Sequence, residues 1–343
     1  MGASSSRLKM SCFGRRLAAE APASAGQVVR SVRWRELMFL VGAPTLGVIA
    51  RTTPAAGLWM TALKVGALLL VALPAGAHVY LVNDLYDRQR DRVNPERRGS
   101  PLATGALSTR AAWVWALVFV LAALGAAGAL LGWLGLAVVG AIVLNWDTYA
   151  WSSGPGRIGP GGSIAAVGNP TASKVGWGKC HPVAAAAHNL VGGGLHFLLG
   201  VSASDGRLVW DGGVALWTGY FGLLFLAGHF HHVARQAEAD RAAGVTTVAT
   251  QWGVRRALVV GAVVLVGSTA SLTAGLTARG EVGGLALPLS WLWVSLPLYL
   301  LALGRLLARE PGWVEQRRFQ RFYRGLYLVF GLLLAPFFWG RLA

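Results

Sequence analysis

Acidic residues are scarce in this chain. Only 14 of its 343 residues are Asp or Glu, and charged residues of both signs make up 13%. A soluble chain of this length carries about 25% charge, so an exterior facing water all round is excluded. Cysteine is nearly absent too. Cys12 and Cys180 are the two in the chain, and both fall in segments read as lying on one side of a membrane. They offer neither a disulfide framework nor metal-site spacing and are read as free thiols. No apolar core follows the early basic residues within the first 30 positions, so a cleaved signal peptide is not expected.

What is present is apolar. Hydrophobic residues make up 55% and the mean hydropathy is +0.52. They come in long blocks, which is the pattern of a polytopic membrane protein. The net charge of +17 reflects 31 Lys and Arg set against few acids. In a soluble protein such an excess would suit nucleic acid. In a membrane protein, attraction to anionic lipid headgroups and the cytoplasmic bias of basic residues account for it, and no nucleic-acid partner is expected.

Residues 1–35 are read as a basic cytoplasmic arm and residues 36–343 as one transmembrane domain. The arm begins Met1-Gly2-Ala3-Ser4-Ser5-Ser6, which fits the loose myristoylation pattern, but a plain basic arm is the reading preferred. A membrane helix needs roughly 20 residues. The apolar blocks place spans near 36–51, 60–82, 112–131, 133–151, 183–201, 214–233, 257–277, 285–304 and 322–340, which makes nine. With the N-terminus in the cytoplasm, the cytoplasmic segments hold 25 basic residues and the opposite ones four. The bias supports this number of spans and this orientation, and the location expected is a bacterial plasma membrane.

Against this background one acidic stretch stands out. Asn83-Asp84-Leu85-Tyr86-Asp87-Arg88-Gln89-Arg90-Asp91 follows directly on the second apolar block. Asn83, Asp87 and Asp91 are four apart, so on a helix each lies about 40° round from the last and one face carries all three. A row of oxygen ligands without a nearby Cys suits a hard cation such as Mg²⁺. The plainer alternative is a solvated loop with ordinary helix-end charges.

A second constellation follows the sixth block: His229-Phe230-His231-His232, then Arg235-Gln236-Ala237-Glu238-Ala239-Asp240-Arg241-Ala242-Ala243-Gly244. His232, Gln236 and Asp240 are again four apart and share a helix face, and Gly244 offers a helix stop. The histidines also read as interfacial packing; a zinc site would need further ligands that the segment does not supply. Between the two constellations, residues 152–178 are rich in Gly and Pro and read as a cytoplasmic loop.

Together the two stretches resemble the UbiA superfamily of intramembrane prenyltransferases. That family carries NDxxDxxxD after its second helix and a DxxxD-type motif followed by RAAGxxT after its sixth. Asn83, Asp84, Asp87 and Asp91 match the first, continuing through Arg97 and Pro101-Leu102-Ala103-Thr104-Gly105. Glu238, Asp240, Arg241, Gly244 and Thr247 match the second. The Tyr149 region and Lys179 resemble the family's basic loop between helices four and five. Two departures are visible: Gln236 stands where the family usually has the first Asp of its second motif, and Ser100 where an Arg commonly precedes the Pro.

The resemblance implies an all-α fold of about nine transmembrane helices around a central lipid-open cavity. It implies Mg²⁺-dependent transfer of a prenyl group from an isoprenyl diphosphate to an aromatic or other lipid-soluble, hydrophobic acceptor, as in isoprenoid and quinone biosynthesis. The expected catalytic residues are Asn83, Asp84, Asp87, Asp91, Gln236 and Asp240, with Mg²⁺ on Asn83, Asp87, Asp91, Gln236 and Asp240. Arg88, Arg92, Arg157, Lys174, Lys179 and His232 are expected to bind the diphosphate, and Trp146, Tyr149 and Trp151 are candidates to face an allylic cation. Gln236 brings an amide oxygen without charge, so a second metal should bind weakly there; alternatively Gln236 and His232 read the acceptor. Competing readings are a terpene cyclase of the same superfamily, a catalytically idle scaffold and a transporter. Charges clustered at the rim rather than the midplane argue against transport.

Overall fold

The computed structural model describes residues 25–151, 181–205, 210–309 and 311–339. Its regular elements are helices: α1 (Ala25–Ser31), α2 (Trp34–Leu40), α3 (Gly42–Arg51), α4 (Gly57–Val93), α5 (Pro101–Thr104) and α6 (Thr109–Trp151) come first. Then follow α7 (Pro182–Asp205), α8 (Gly212–Ala242), α9 (Val248–Trp252), α10 (Val254–Ala278), α11 (Ala286–Leu307) and α12 (Trp313–Phe338). No strand occurs among the described residues. The expected loop at 152–178 and most of the basic arm lie outside them.

Among the described residues, seven helices are long and apolar enough to cross a membrane, against the nine spans expected. The difference arises at two places. The expected first span is broken at Val41 into α2 and α3, of seven and ten residues. Pro44, in the first turn of α3, lacks the N–H that would bond to Leu40, and its ring crowds that carbonyl. The second place is α6, whose 43 residues would reach about 65 Å at 1.5 Å per residue, twice a hydrocarbon core of about 30 Å. It does not run straight. Gly132 adopts φ 70° and ψ −170°, outside the helical region, and the chain folds back there.

His78 shows that the fold is a hairpin. Its Nδ1 lies 2.9 Å from the Ala116 carbonyl oxygen, and its Nε2 lies 3.1 Å from both carboxylate oxygens of Asp147. Both arms of α6 therefore meet α4 at one height. A carbonyl and a carboxylate both accept, so the ring lies between two acceptors, one on each arm. Val71, Ala75, Ala123, Ala127 and Val139 pack the seam between α4 and the two arms.

The other half of the bundle closes round Trp217 of α8, whose ring lies 4.5 Å from that of Phe338 in α12 and which packs with Phe221 and Phe197. In a lipid surround, helix association rests on close packing rather than on release of water. That need is plainest at Gly200 of α7, where a Cβ would fall 1.8 Å from the Pro44 carbonyl oxygen of α3. Large apolar residues such as Leu58, Trp59, Trp133 and Leu332 face outward, as lipid contact allows.

α4 and α8 run well past the apolar blocks assigned to them, to Val93 and Ala242, so both acidic stretches are helical. The chain leaves α8 near Gly244, where Val245 N–H donates to the Asp240 carbonyl at 2.8 Å. The boundary drawn at residue 35 runs through packed structure. Val28 and Val32 are buried, Val28 among Leu81, Leu102 and Leu107, because a short amphipathic turn covers the end of α4.

The hairpin makes a test. A Cβ at Gly132 meets nothing within 4 Å, so the penalty there is one of backbone conformation alone. Gly132→Ala is expected to cost about 1–3 kcal/mol, read as a lowered unfolding midpoint in detergent. Gly128→Ala, in helical surroundings with equally open space, should leave the midpoint unchanged or slightly raised. Equal midpoints for the two variants would show that the turn tolerates a side chain.

Candidate functional site

The C-terminal turns of α4 turn Asp84, Asp87, Arg90 and Asp91 inward, all buried, while Asn83 is half-buried beside them. α8 brings the buried Gln236 and Asp240 to the same end of the bundle. Four buried carboxylates in apolar surroundings demand counter-charge, and three arginines from separate parts of the chain supply it.

Asp84 is held on both oxygens. Arg33, from the junction of α1 and α2, bonds Oδ1, and Arg97, from the segment after α4, bonds Oδ2. Burial alone would lower the pKa of the Arg33 guanidinium, but Asp84, Asp91 and Asp87 outweigh it and raise the pKa. Arg33 also lies 5.5 Å over the Tyr80 ring. Asp87 Oδ2 accepts from Asn83 Nδ2 at 2.9 Å and from Arg90 Nη2 at 2.5 Å. Arg90 reaches across to α8, where its Nη1 is 3.3 Å from Oδ1 of Asp240. Asp91 Oδ2 is 3.4 Å from Arg97 Nε. Its Oδ1 is buried and accepts no hydrogen bond among the described residues.

The segment carrying Arg97 is shaped locally. Asn94 Oδ1 accepts from Glu96 N–H at 3.0 Å and the Asn94 carbonyl accepts from Arg97 N–H at 2.9 Å, a turn typical of Asn. Ser100 then caps α5, accepting from Ala103 N–H at 3.3 Å. Capping is what Ser100 does where the resemblance led one to expect Arg. Glu96 reaches Arg235 of α8 at 3.2 Å and pins the segment over the site.

Several expected residues stand elsewhere. Arg88 Nε donates to the Leu102 carbonyl at 3.1 Å and Arg92 Nε to that of Ala103 at 3.2 Å. Each is one residue, about 100°, round the helix from an inward Asp, so both brace α5 rather than join the carboxylates. Glu238 is exposed, on the outer flank of α8. His232 is half-buried, its Nδ1 accepting from Arg235 Nη2 at 3.4 Å. Trp151 is exposed, while Tyr149 is buried edge-on to Trp146 at 5.7 Å. Arg157, Lys174 and Lys179 lie outside the described residues.

Sequence reasoning missed Arg33 and Arg90 as members of the site. In the sequence both merge with the general basic excess. The available signal was that a row of buried carboxylates must find cations, and Arg90 is three residues from Asp87, the spacing of a helical pair.

The oxygen-only donor set of Asp87, Asp91 and Asp240 with the amides of Asn83 and Gln236 has the hardness Mg²⁺ requires. The unpartnered Asp91 Oδ1 is the atom a cation would satisfy. No three acidic, His or Cys groups gather round one point among the described residues; the arginines occupy the places between the carboxylates. Directly towards the membrane, Ala72, Gly76 and Val79 of α4, with Ile142, His196 and Leu199, line a narrow, partly open apolar crevice. Val79 is one turn before Asn83, so the apolar space begins where the polar site ends.

The doubly bonded Asp84 is expected to be structural. Asp84→Asn breaks a buried carboxylate away from two guanidinium groups, a loss of about 3–5 kcal/mol. Asp91→Asn, with one oxygen unpartnered, should cost clearly less. Detergent unfolding of the two variants measures the difference, and equal losses would put Asp84 on a par with its neighbours.

The family model for the UbiA prenyltransferase family matches residues 41–320. No curated protein matches the sequence. Among solved structures, a UbiA homolog from Archaeoglobus fulgidus bound to DMAPP and Mg²⁺ superposes with a TM-score of 0.63 at 17% identity, over 92% of this chain and 99% of that one. The apo UbiA homolog from Aeropyrum pernix K1 gives 0.59 at 17%, over 89% and 98%. A digeranylgeranylglyceryl phosphate synthase gives 0.59 at 16%, over 92% and 98%. With acidic stretches on two helices meeting above an apolar crevice, and a family match over most of its length, this chain belongs to the UbiA prenyltransferase family.

Proposed function

We propose that the chain transfers a prenyl group from an isoprenyl diphosphate to an aromatic or other lipid-soluble acceptor, releasing diphosphate, with Mg²⁺ as the metal. The observation that supports it best is the junction itself: buried carboxylates of α4 and α8 and an arginine between them stand one turn above an apolar crevice. A diphosphate carrying an isoprenoid tail has the same division into a highly charged head and an apolar body.

In this reading Asp87 and Asp91, with Asn83, hold the metal; Asp240 and Gln236 complete the opposite wall. Mg²⁺ when bound supplies positive charge to the departing diphosphate oxygens. The chain's own cations, Arg33, Arg90 and Arg97, are placed to bind the same head group by charge-assisted hydrogen bonds. The apolar crevice along Gly76 and Val79 marks the route of the tail, which would part its lining on entry and keep water from the allylic carbon. The site faces the cytoplasm, where water-soluble Mg²⁺ and diphosphate exchange, a reading supported by the basic residues that crowd this end. Two structures of a UbiA homolog from Archaeoglobus fulgidus carry GPP or DMAPP with Mg²⁺, which is why that substrate class is preferred.

The experiment is incubation of the purified chain with geranylgeranyl diphosphate and Mg²⁺, following release of diphosphate. Asp87→Ala and Asp91→Ala are each expected to reduce release about 100-fold or more while the protein stays folded. EDTA should silence the wild type and added Mg²⁺ restore it. Undiminished turnover in either variant, or turnover in EDTA, would remove the metal assignment.

A further inference from the structure

The two walls of the site are not alike. α4 presents three carboxylates, whereas α8 presents Asp240 alone: Gln236, one turn earlier, is neutral and Glu238 is turned outward. Asp240 is fully buried, and the cation at its side belongs to the chain. Arg90 stands between the walls, 2.5 Å from Asp87 and 3.3 Å from Asp240. It is 5% exposed, so it is not a headgroup arginine that happens to reach inward.

Two observations point from this arrangement to a ligand. The first is an unfinished hydrogen-bond set. Arg90 Nε is buried and has no acceptor among the described residues, although a guanidinium has five N–H donors and a buried one needs them met. An anion entering the junction would meet it. The second is the charge balance of the α8 wall. A divalent ion there would have one carboxylate and one neutral amide as ligands, with a guanidinium already bonded to that carboxylate. Repulsion at such separation is strong wherever water is excluded. A fixed guanidinium, by contrast, presents a planar fork suited to phosphate oxygens. Asp87 and Asp240 hold it from both sides, so little freedom is left to lose on binding.

We propose that Arg90 is the diphosphate-binding cation of the α8 wall, filling the place of a second divalent ion, so that the site takes an isoprenyl diphosphate with a single Mg²⁺ held by the α4 carboxylates. The inference rests on the prenyl diphosphate reading and sharpens it. It also replaces the expectation of a weakened second metal at Gln236: the amide is the neighbour that a resident guanidinium tolerates, and a carboxylate there would draw Arg90 out of its bridge.

The test uses the full chain in nanodiscs with Mn²⁺ as the probe metal and inorganic diphosphate as the probe anion. Electron paramagnetic resonance of the wild type with both probes should show one Mn²⁺ per chain, magnetically isolated. The double variant Arg90→Gln with Gln236→Asp should bind two and show the coupling of a close pair. Calorimetry with inorganic diphosphate in the absence of metal should show binding by the wild type that weakens at least tenfold in Arg90→Lys, which keeps the charge and the ion pairs but loses the fork. Two coupled Mn²⁺ ions in the wild type, or undiminished diphosphate affinity in Arg90→Lys, would overturn the role of Arg90 and leave the prenyl diphosphate reading intact. Wild-type protein that binds neither Mn²⁺ nor diphosphate would overturn both.

Discussion

The structure depends on one constraint: four carboxylates are buried at one end of a membrane bundle and each must face a cation. Burying an ion is costly, and only good geometry with a partner brings the cost back. Arg33, Arg90 and Arg97 meet it from three places in the chain, before the bundle, within α4 and after α4. In doing so they draw together the segment entering α2, the end of α4, the turn leading to α5 and, through Asp240, the end of α8. The charge network is thus also the clasp that closes this end of the fold. Glu96 and Arg235 extend it by another pair.

Away from that end, no comparable cluster of buried charges occurs among the described residues. Its halves are held by aromatic contacts round Trp217 and by the seam of small residues along α4, α6 and α7. Polar links are few among the described residues: His231 of α8 meets Tyr299 of α11, and His78 joins both arms of α6 to α4 through a carbonyl and a carboxylate. A polar link of this kind cannot exchange with water inside lipid, so it sets the height at which the arms lie. The apolar crevice lies along the same stretch of α4, between Pro44 of α3, Ile142 of α6 and His196 and Leu199 of α7.

A site built this way is ready for a highly charged ligand before one arrives. The arginines hold the carboxylates, and the carboxylates hold the arginines in fixed orientations. An incoming diphosphate and its metal would exchange partners within the network rather than create one, which keeps reorganisation small. Asp84 and Asp91 divide the labour on α4: the first has both oxygens committed to protein, the second keeps one buried oxygen without a donor. Arg88 and Arg92, equally basic and equally close in sequence, act on α5 instead.

Much of this was legible in the chain of letters. Apolar blocks showed a helical membrane protein, because length and hydropathy are local properties. The spacing of Asn83, Asp87 and Asp91, and of His232, Gln236 and Asp240, placed each set on one helix face, because helical periodicity is also local. The turn at Leu131-Gly132-Trp133 was visible for the same reason, though whether segments of marginal length count as spans was not. What the letters could not decide was which basic residues go where. Arg33 in the leading segment looks no different from its neighbours, and Arg90 no different from Arg88. Only the packing of α1, α4 and α8 selects Arg33, Arg90 and Arg97 as counter-ions and sends Arg88 and Arg92 to the carbonyls of α5. A guanidinium on a flexible stem can reach in many directions, and the one it takes is set by where the other helices bring their carboxylates.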